Sequence, residues 1–104
     1  MYKILVTTSD DYKVLENIVH ECVENKKISP CAHIINNISS FYIFNNNFVA
    51  EKEHILVIKC KKENLKLIND TVNDLHNYDI PEIISIKFDI ISQKYKEWFD
   101  KNEF

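Results

Sequence analysis

The residues best suited to chemistry stand together in the segment His76–Glu82, whose sequence is HNYDIPE. An imidazole, a phenol and carboxylates in so short a segment could bind a small ligand or a hard or borderline cation. In the alternative interpretation, His76 caps a helix C-terminus, which is worth about 0.3–1 kcal/mol when the ring is protonated. Pro81 then fixes a turn and Glu82 pairs with a lysine. The pattern alone favours this alternative, and both interpretations stay open here.

The remaining histidines show no spacing typical of a metal site, and we expect them to be ordinary surface or hydrogen-bonded residues. They are His20, His33 and His54. If a hairpin turns near Asn46, His33 pairs near Lys59 and His54 pairs near Ile38. The two imidazoles are then not expected to meet across the strands.

The cysteines give no sign of a disulfide framework or a zinc cluster. Cys22, Cys31 and Cys60 are odd in number and share no CxxC spacing. Cys22 lies on the apolar stripe of a predicted helix and is expected in the core. Cys31 could act as a nucleophile only beside a histidine and an orienting group, which no spacing establishes, so we predict a small buried side chain.

The sequence contains no glycine, which excludes several classes of active site. Phosphate-binding glycine loops and the GxSxG elbow of serine hydrolases both require it. Backbone positions with positive φ must then fall mainly to asparagine, which tolerates that region best after glycine. We therefore predict turns at Asn36-Asn37 and at Asn45-Asn46-Asn47.

Charge and hydropathy exclude two further classes of partner. The formal net charge of −3 gives no electrostatic reason to bind nucleic acid. The apolar runs are much shorter than the roughly 20 residues that span a bilayer, and no secretory signal is evident. We expect a cytoplasmic protein without nucleic-acid or membrane partners, folded as one domain over residues 1–104.

The hydrophobic periodicity predicts the elements that position these residues. They are a strand over 2–8, a helix over 11–25, a strand over 31–44, a strand from Phe48 or Glu53 to Lys61, a helix capped by Asn64, a strand over 84–90 with one buried face, and a short C-terminal helix bearing Tyr95, Trp98 and Phe99. This order predicts an α+β fold, a ferredoxin-like βαββαβ sandwich with an antiparallel sheet and a long central hairpin.

The predicted hairpin carries more aromatic area at its tip than an exposed hairpin would leave in water. The rings belong to Phe41, Tyr42, Phe44 and Phe48. They could pack on the sheet of their own subunit or meet another subunit. Because the outer half of so long a hairpin overhangs a small domain, we favour contact with another subunit.

The chain resembles the CutA family of divalent-cation-tolerance proteins over essentially its whole length. Segments similar to the family pattern occur in order at Ile4–Thr8, Cys31–Ile35, Ser40–Phe44, Glu53–Lys59, Leu75–Ile83 and Tyr95–Trp98. The most specific is LHNYDIPEI at Leu75–Ile83, which is very like the family's Leu-His-Pro-Tyr-Glu-Val-Pro-Glu-Ile. Phe44 stands where the family usually has tryptophan, Asn46 where a turn glycine is common, and Asn77 where it has proline.

The resemblance implies a non-enzymatic homotrimer linked to tolerance of copper and other divalent cations. Its polar residues would line clefts between subunits, at Cys31, Tyr42, Glu53, Lys59, His76, Tyr78 and Glu82. His76 would be the ligand for Cu(II) or another divalent cation, although Val6 and Leu75 supply no donor atoms beside it. A signalling or adaptor module that binds a small anion through Lys59 and Tyr78 is the alternative. An enzyme is the third hypothesis and has the least support from the motifs.

Overall fold

The computed structural model describes residues 1–104 as an antiparallel four-stranded sheet with two helices packed on one face. In chain order the elements are β1 (Tyr2–Ser9), α1 (Tyr12–Val19), β2 (Cys31–Phe44), β3 (Asn47–Lys61), α2 (Leu65–Leu75), β4 (Ile84–Phe88) and α3 (Gln93–Lys101). A π-helical segment, His20–Asn25, continues α1, and a 3-10 turn, Lys62–Asn64, leads into α2. The strand order β2-β3-β1-β4 confirms the predicted α+β, ferredoxin-like fold.

The core lies between the sheet and the two helices α1 and α2. On the sheet, Leu5, Leu56, Ile58 and Cys60 are at most 1% exposed. The helical residues that meet them are Leu15, Ile18, Cys22, Ile68 and Val72. Cys22 is therefore a core residue, as predicted. None of the helices combines the length and apolar composition needed to cross a bilayer.

The opposite face of the sheet, which we call the open face, is covered only at one end. Side chains alternate along a strand, so Ile4, Val6 and Val57 point away from α1 and α2. At the covered end α3 buries Phe99, whose ring centroid lies 5.3 Å from that of Tyr2. The remainder is not covered by a helix, and its aliphatic side chains are half-buried or exposed.

The strand β4 is shorter and less buried than predicted. It ends at Phe88, which pairs with Tyr2, the first residue of β1, so nothing remains for Ile90 to pair with. Ile84 and Ile86 are 49% and 50% exposed because they lie on the open face. The prediction of one buried face is therefore wrong for this chain.

The β2–β3 hairpin extends well beyond the other strands. β1 stops pairing at Ser9, opposite His54, so residues 38–44 and 47–53 form a two-stranded arm. The arm gives the subunit extents of 46 × 26 × 21 Å. At its tip Phe41 and Phe48 are 65% and 70% exposed.

Asparagine occupies most of the backbone positions with positive φ, as the absence of glycine predicts. Asn45 and Asn46, with φ of 50° and 64°, form the hairpin turn. Asn37, with φ of 57°, lies in a β-bulge within β2, so the predicted turn at Asn36-Asn37 is wrong. A lysine, Lys27, takes the fourth such position with φ of 56°.

The bulge changes the register predicted for the hairpin. Between the pairs Ile35–Ile55 and Ile38–Glu53, β2 contains one more residue than β3. The turn position and the bulge each shift the pairing by one residue. His33 therefore pairs with Val57, whereas the sequence placed it near Lys59.

Asn64 precedes α2 but does not cap it with its side chain, contrary to the prediction. Its Nδ2 donates instead to Glu103 Oε2 at 2.8 Å and to the Phe104 carbonyl at 3.3 Å. Glu103 also accepts the Lys61 N–H with both carboxylate oxygens. These contacts fasten the C-terminal segment to the end of β3.

Candidate functional site

The His76 ring holds the segment after α2 against the end of β1. Its Nδ1 accepts the Tyr78 backbone N–H at 3.0 Å, and its Nε2 lies 2.8 Å from the Thr8 carbonyl oxygen. A backbone N–H only donates and a carbonyl only accepts, so the neutral ring carries its hydrogen on Nε2. His76 also caps α2, but through its backbone N–H, which donates to the Val72 carbonyl at 2.9 Å.

Asn77 makes a second set of contacts with the end of β1. Its Oδ1 accepts a hydrogen bond from the hydroxyl of the buried Ser9 at 2.7 Å, and its Nδ2 donates one to Asp10 Oδ1 at 2.9 Å. The Ser9 Oγ also accepts the Asp11 N–H at 3.0 Å, just before α1. A proline at position 77 could make neither side-chain bond. Sequence reasoning placed Asn77 in the polar segment His76–Glu82 and noted it as a departure from the family pattern, but it missed this role.

The phenol of Tyr78 connects β1 to the base of the arm. Its hydroxyl accepts the Asp10 N–H at 2.8 Å and donates to Glu53 Oε2 at 2.6 Å. Glu53 is only 5% exposed. Burial, followed by the bond to Glu53, raises the pKa of Tyr78 above its usual value, so the phenol remains a donor at neutral pH.

A second polar cluster lies at the other end of the open face. Cys31 and Lys59 are directly opposite each other in the β2–β3 pair. The Tyr95 hydroxyl lies 3.4 Å from Cys31 Sγ and 3.4 Å from Lys59 Nζ, and the ammonium lies 5.6 Å from the ring centroid. Burial and the bond to Cys31 raise the pKa of Tyr95 to about 12.

The sequence-based predictions for this second cluster were incomplete. Cys31 is half-buried, where a fully buried side chain was predicted. Tyr95 was not among the predicted site residues, although its spacing to Trp98 matched the family pattern and could have identified it. The rings of these two residues stack with centroids 5.5 Å apart.

The bulge brings Tyr42 to the same face of the hairpin as Cys31. Tyr42 pairs with Val49 and Cys31 with Lys59, and alternate residues of β3 share a face. Without the extra residue, Tyr42 would point to the opposite face. Its hydroxyl donates to Glu51 Oε1 at 2.6 Å, and this bond raises the pKa of Tyr42 to about 12.

The structure therefore distributes the predicted site residues over separate places in the chain. Tyr78, His76 and Glu53 lie where the arm leaves the sheet, Cys31 and Lys59 lie at the other end of the open face, and Tyr42 lies on the arm. Glu82 is exposed and forms no ion pair with a lysine, so that part of the capping interpretation is wrong.

The donor groups of the chain do not form a ready metal site. No group of three or more His, Cys, Asp or Glu side chains is close enough to hold an ion. Both nitrogens of His76 are engaged within the chain, so a metal bound there must displace either the Thr8 or the Tyr78 contact. Leu75, the residue before His76, and Val6 on β1 offer no ligand atoms.

Comparison with known proteins relates the whole chain to one family. A family model described as "CutA1 divalent ion tolerance protein" matches residues 3–102. The "Divalent-cation tolerance protein CutA" of Thermus thermophilus is 24% identical over 102 residues, which cover 98% of both chains. "Protein CutA, chloroplastic" of Arabidopsis thaliana is 33% identical over 86 residues, which cover 83% of this chain and 44% of that protein. The match thus spans less than half of the plant relative.

Solved structures show the same fold. The structure of the divalent cation tolerance protein (Cut A1) from Thermus thermophilus superposes with a TM-score of 0.92, covering 100% of both chains at 23% identity. The agreement includes the long hairpin, because no part of either chain is left out.

Proposed function

Because the chain belongs to the CutA1 family of divalent ion tolerance proteins, we propose that it is a non-enzymatic homotrimer that acts in tolerance of divalent cations, copper among them. In this proposal residues 1–104 form one domain, which repeats in each subunit. The cytoplasm is the proposed location, although the Arabidopsis thaliana relative is named as chloroplastic. Neither nucleic acid nor a membrane is a proposed partner.

Two features support the proposed trimer, namely the open face and the arm. Ile35, Ile84 and Ile86 on that face are 52%, 49% and 50% exposed, and Phe41 and Phe48 at the arm tip are 65% and 70% exposed. A patch of this kind marks an interaction surface, and a second copy of the same chain is the most general partner for it. The arm, at a rise of about 3.3 Å per residue, is long enough to reach across a neighbouring subunit.

The proposed intersubunit clefts follow from the same face. Cys31, Tyr42, Glu53 and Lys59 all lie on it or on its continuation along the arm, so a neighbour packed there would enclose them. Tyr78 and Glu82 belong to the adjoining loop. His76 is the proposed cation ligand, and it gains partners only if the neighbour supplies them, since its own subunit lacks them.

The oligomeric state can be tested by light scattering. We expect a mass three times the 12.4 kDa of one chain. Ile86→Asp places a charge on the open face and should break the trimer, whereas Ile91→Asp, at a residue 94% exposed and outside the strands, is the matched control and should not. A wild-type protein that runs as a monomer would remove the basis of the clefts.

The cation role can be tested by calorimetric titration with copper. His76→Ala should weaken binding, while His20→Ala, which removes an exposed imidazole on the helical side, should leave it unchanged. Equal affinity in the wild-type protein and the His76→Ala variant would exclude His76 as the ligand.

The alternative function is binding of a small anion in the same clefts. It is favoured by Lys59, whose ammonium contacts Tyr95 and forms no ion pair with a carboxylate. Tyr78 should contribute less to anion binding than expected, because its hydroxyl already donates its hydrogen bond to Glu53. Titration with inorganic phosphate should then show binding that Lys59→Gln abolishes and that does not require a metal.

A further inference from the structure

An unpaired group of lysines lies on the helical side of the sheet, away from the open face. Lys3, Lys62 and Lys87 surround a depression of about 140 Å³, which Met1 also lines. Lys3 of β1 and Lys87 of β4 are direct partners in the strand register, so their side chains leave the same face side by side. Lys62 reaches the depression from the turn before α2.

These positive charges are not neutralised within the chain. The ion pairs of the structure involve Lys13, His20 and Lys66, and none of the three clustered lysines takes part in one. Glu63, on the same turn as Lys62, forms no ion pair with them either. Like charges directly opposite each other on neighbouring strands are destabilising. A local positive cluster is also unexpected in a chain of net charge −3.

An apolar groove begins at the same place. It measures about 470 Å³ and shares Lys62 with the depression. Its apolar lining consists of Leu5, Leu65, Ile83 and Ile84, and Lys66, Asn69 and Ser85 stand among them. The groove exists because α2 packs on β1 and α1 and leaves the helical side of β4 uncovered.

We propose that the two parts form one binding site for a small amphiphilic anion. A phosphate or carboxylate head group would lie among Lys3, Lys62 and Lys87, where it gains charge-assisted hydrogen bonds and relieves the repulsion between the ammonium groups. A short apolar chain would follow the groove past Leu5 and Ser85. The occupant is a free small molecule, and the site opens on the helical side of the sheet, away from His76, with Ile84 as the one residue it shares with the open face.

Calorimetric titration with n-octyl phosphate tests the proposal on the whole protein. Inorganic phosphate supplies the charge alone and n-octyl glucoside supplies the chain alone. We expect octyl phosphate to bind at least tenfold more tightly than inorganic phosphate, and octyl glucoside to show no comparable binding. Binding should weaken as salt concentration rises, because exposed ammonium groups are screened.

Matched variants connect the binding to the residues. Lys3→Gln with Lys87→Gln should reduce octyl phosphate affinity at least tenfold, and Lys94→Gln with Lys96→Gln removes equal charge from exposed positions on α3 as the control. Ser85→Phe fills the groove without removing a core contact and should also weaken binding. Unfolding midpoints no lower than wild type would show that each variant is folded.

Three results would overturn the two-part site. The first is that the wild-type protein does not bind octyl phosphate. The second is that the control variant at Lys94 and Lys96 loses as much affinity as the variant at Lys3 and Lys87. The third is that the wild-type protein binds octyl phosphate and inorganic phosphate with equal affinity.

Discussion

Replacing Tyr78 by phenylalanine tests how the arm is attached to the rest of the subunit. The change removes one hydroxyl, which donates to Glu53 at 2.6 Å and accepts from the Asp10 N–H at 2.8 Å. Glu53 is 5% exposed, so its carboxylate would lose a donor that water cannot readily replace. Asp10 is exposed, and water can satisfy its N–H.

The expected loss of stability follows from these two bonds. A hydrogen bond to a charged group contributes about 1.5–3 kcal/mol, and the exposed amide adds little. We expect Tyr78→Phe to lower the free energy of unfolding by about 2 kcal/mol. The loss is this large because the acceptor, Glu53, is a buried carboxylate.

Urea unfolding at about pH 7 and at one fixed protein concentration measures this loss, because the stability of the proposed trimer would depend on concentration. Tyr12→Phe is the matched control, since no hydrogen bond of the Tyr12 hydroxyl is present in the structure. A double-mutant cycle with Glu53→Gln should give a coupling energy within the range of about 0.5–3 kcal/mol typical of contacting residues. Equal stability of the Tyr78→Phe and Tyr12→Phe variants, or zero coupling, would refute the role of this bridge.

Three further predictions concern the turn, the thiols and the C-terminal segment. Asn46→Ala should be about 1 kcal/mol less stable than Asn46→Gly in urea unfolding, because a left-handed backbone is costly for alanine and not for glycine; equal stability would contradict this. Burial raises the pKa of Cys22 to about 11 and that of Cys60 to about 12, so iodoacetamide should modify neither thiol in the native protein, as mass spectrometry of its peptides would show. Burial also raises the pKa of Glu103 above its ordinary value. Because the folded state then binds more protons than the unfolded chain between the ordinary pKa and the raised one, the unfolding free energy contributed by Glu103 should fall as pH rises through that interval, and Glu103→Gln should lack this fall in urea unfolding at a series of pH values.

Most of the fold could be predicted because it depends on local patterns. The helical stripe through Leu15 and Ile18 and the long alternation of the hairpin strands identified the elements and their order. The absence of glycine also predicted the turn at Asn45 and Asn46, since few other residues accept positive φ. The end of β4 could not be predicted, because β4 can pair only as far as β1 extends.

The candidate site was predicted less completely than the fold. Tyr78 and Glu53 were named among the cleft residues, but their direct bond joins elements that are 25 positions apart. Asn77 was noted as a member of the His76–Glu82 segment and as a departure from the family pattern, but its contacts with Ser9 and Asp10 join residues 68 and 67 positions apart. Sequence spacing carries no information about pairs of this kind.

The sequence by itself determined the strand and helix order, the exclusion of glycine-dependent sites and the family pattern, because each is written in residue types or in short periodicities. Only the tertiary structure decided which side chains share a face. The single extra residue at Asn37 places Tyr42 with Cys31, and the pairing of Lys3 with Lys87 brings two positive charges together. Both outcomes depend on strand register, which changes by a whole face when one residue is added.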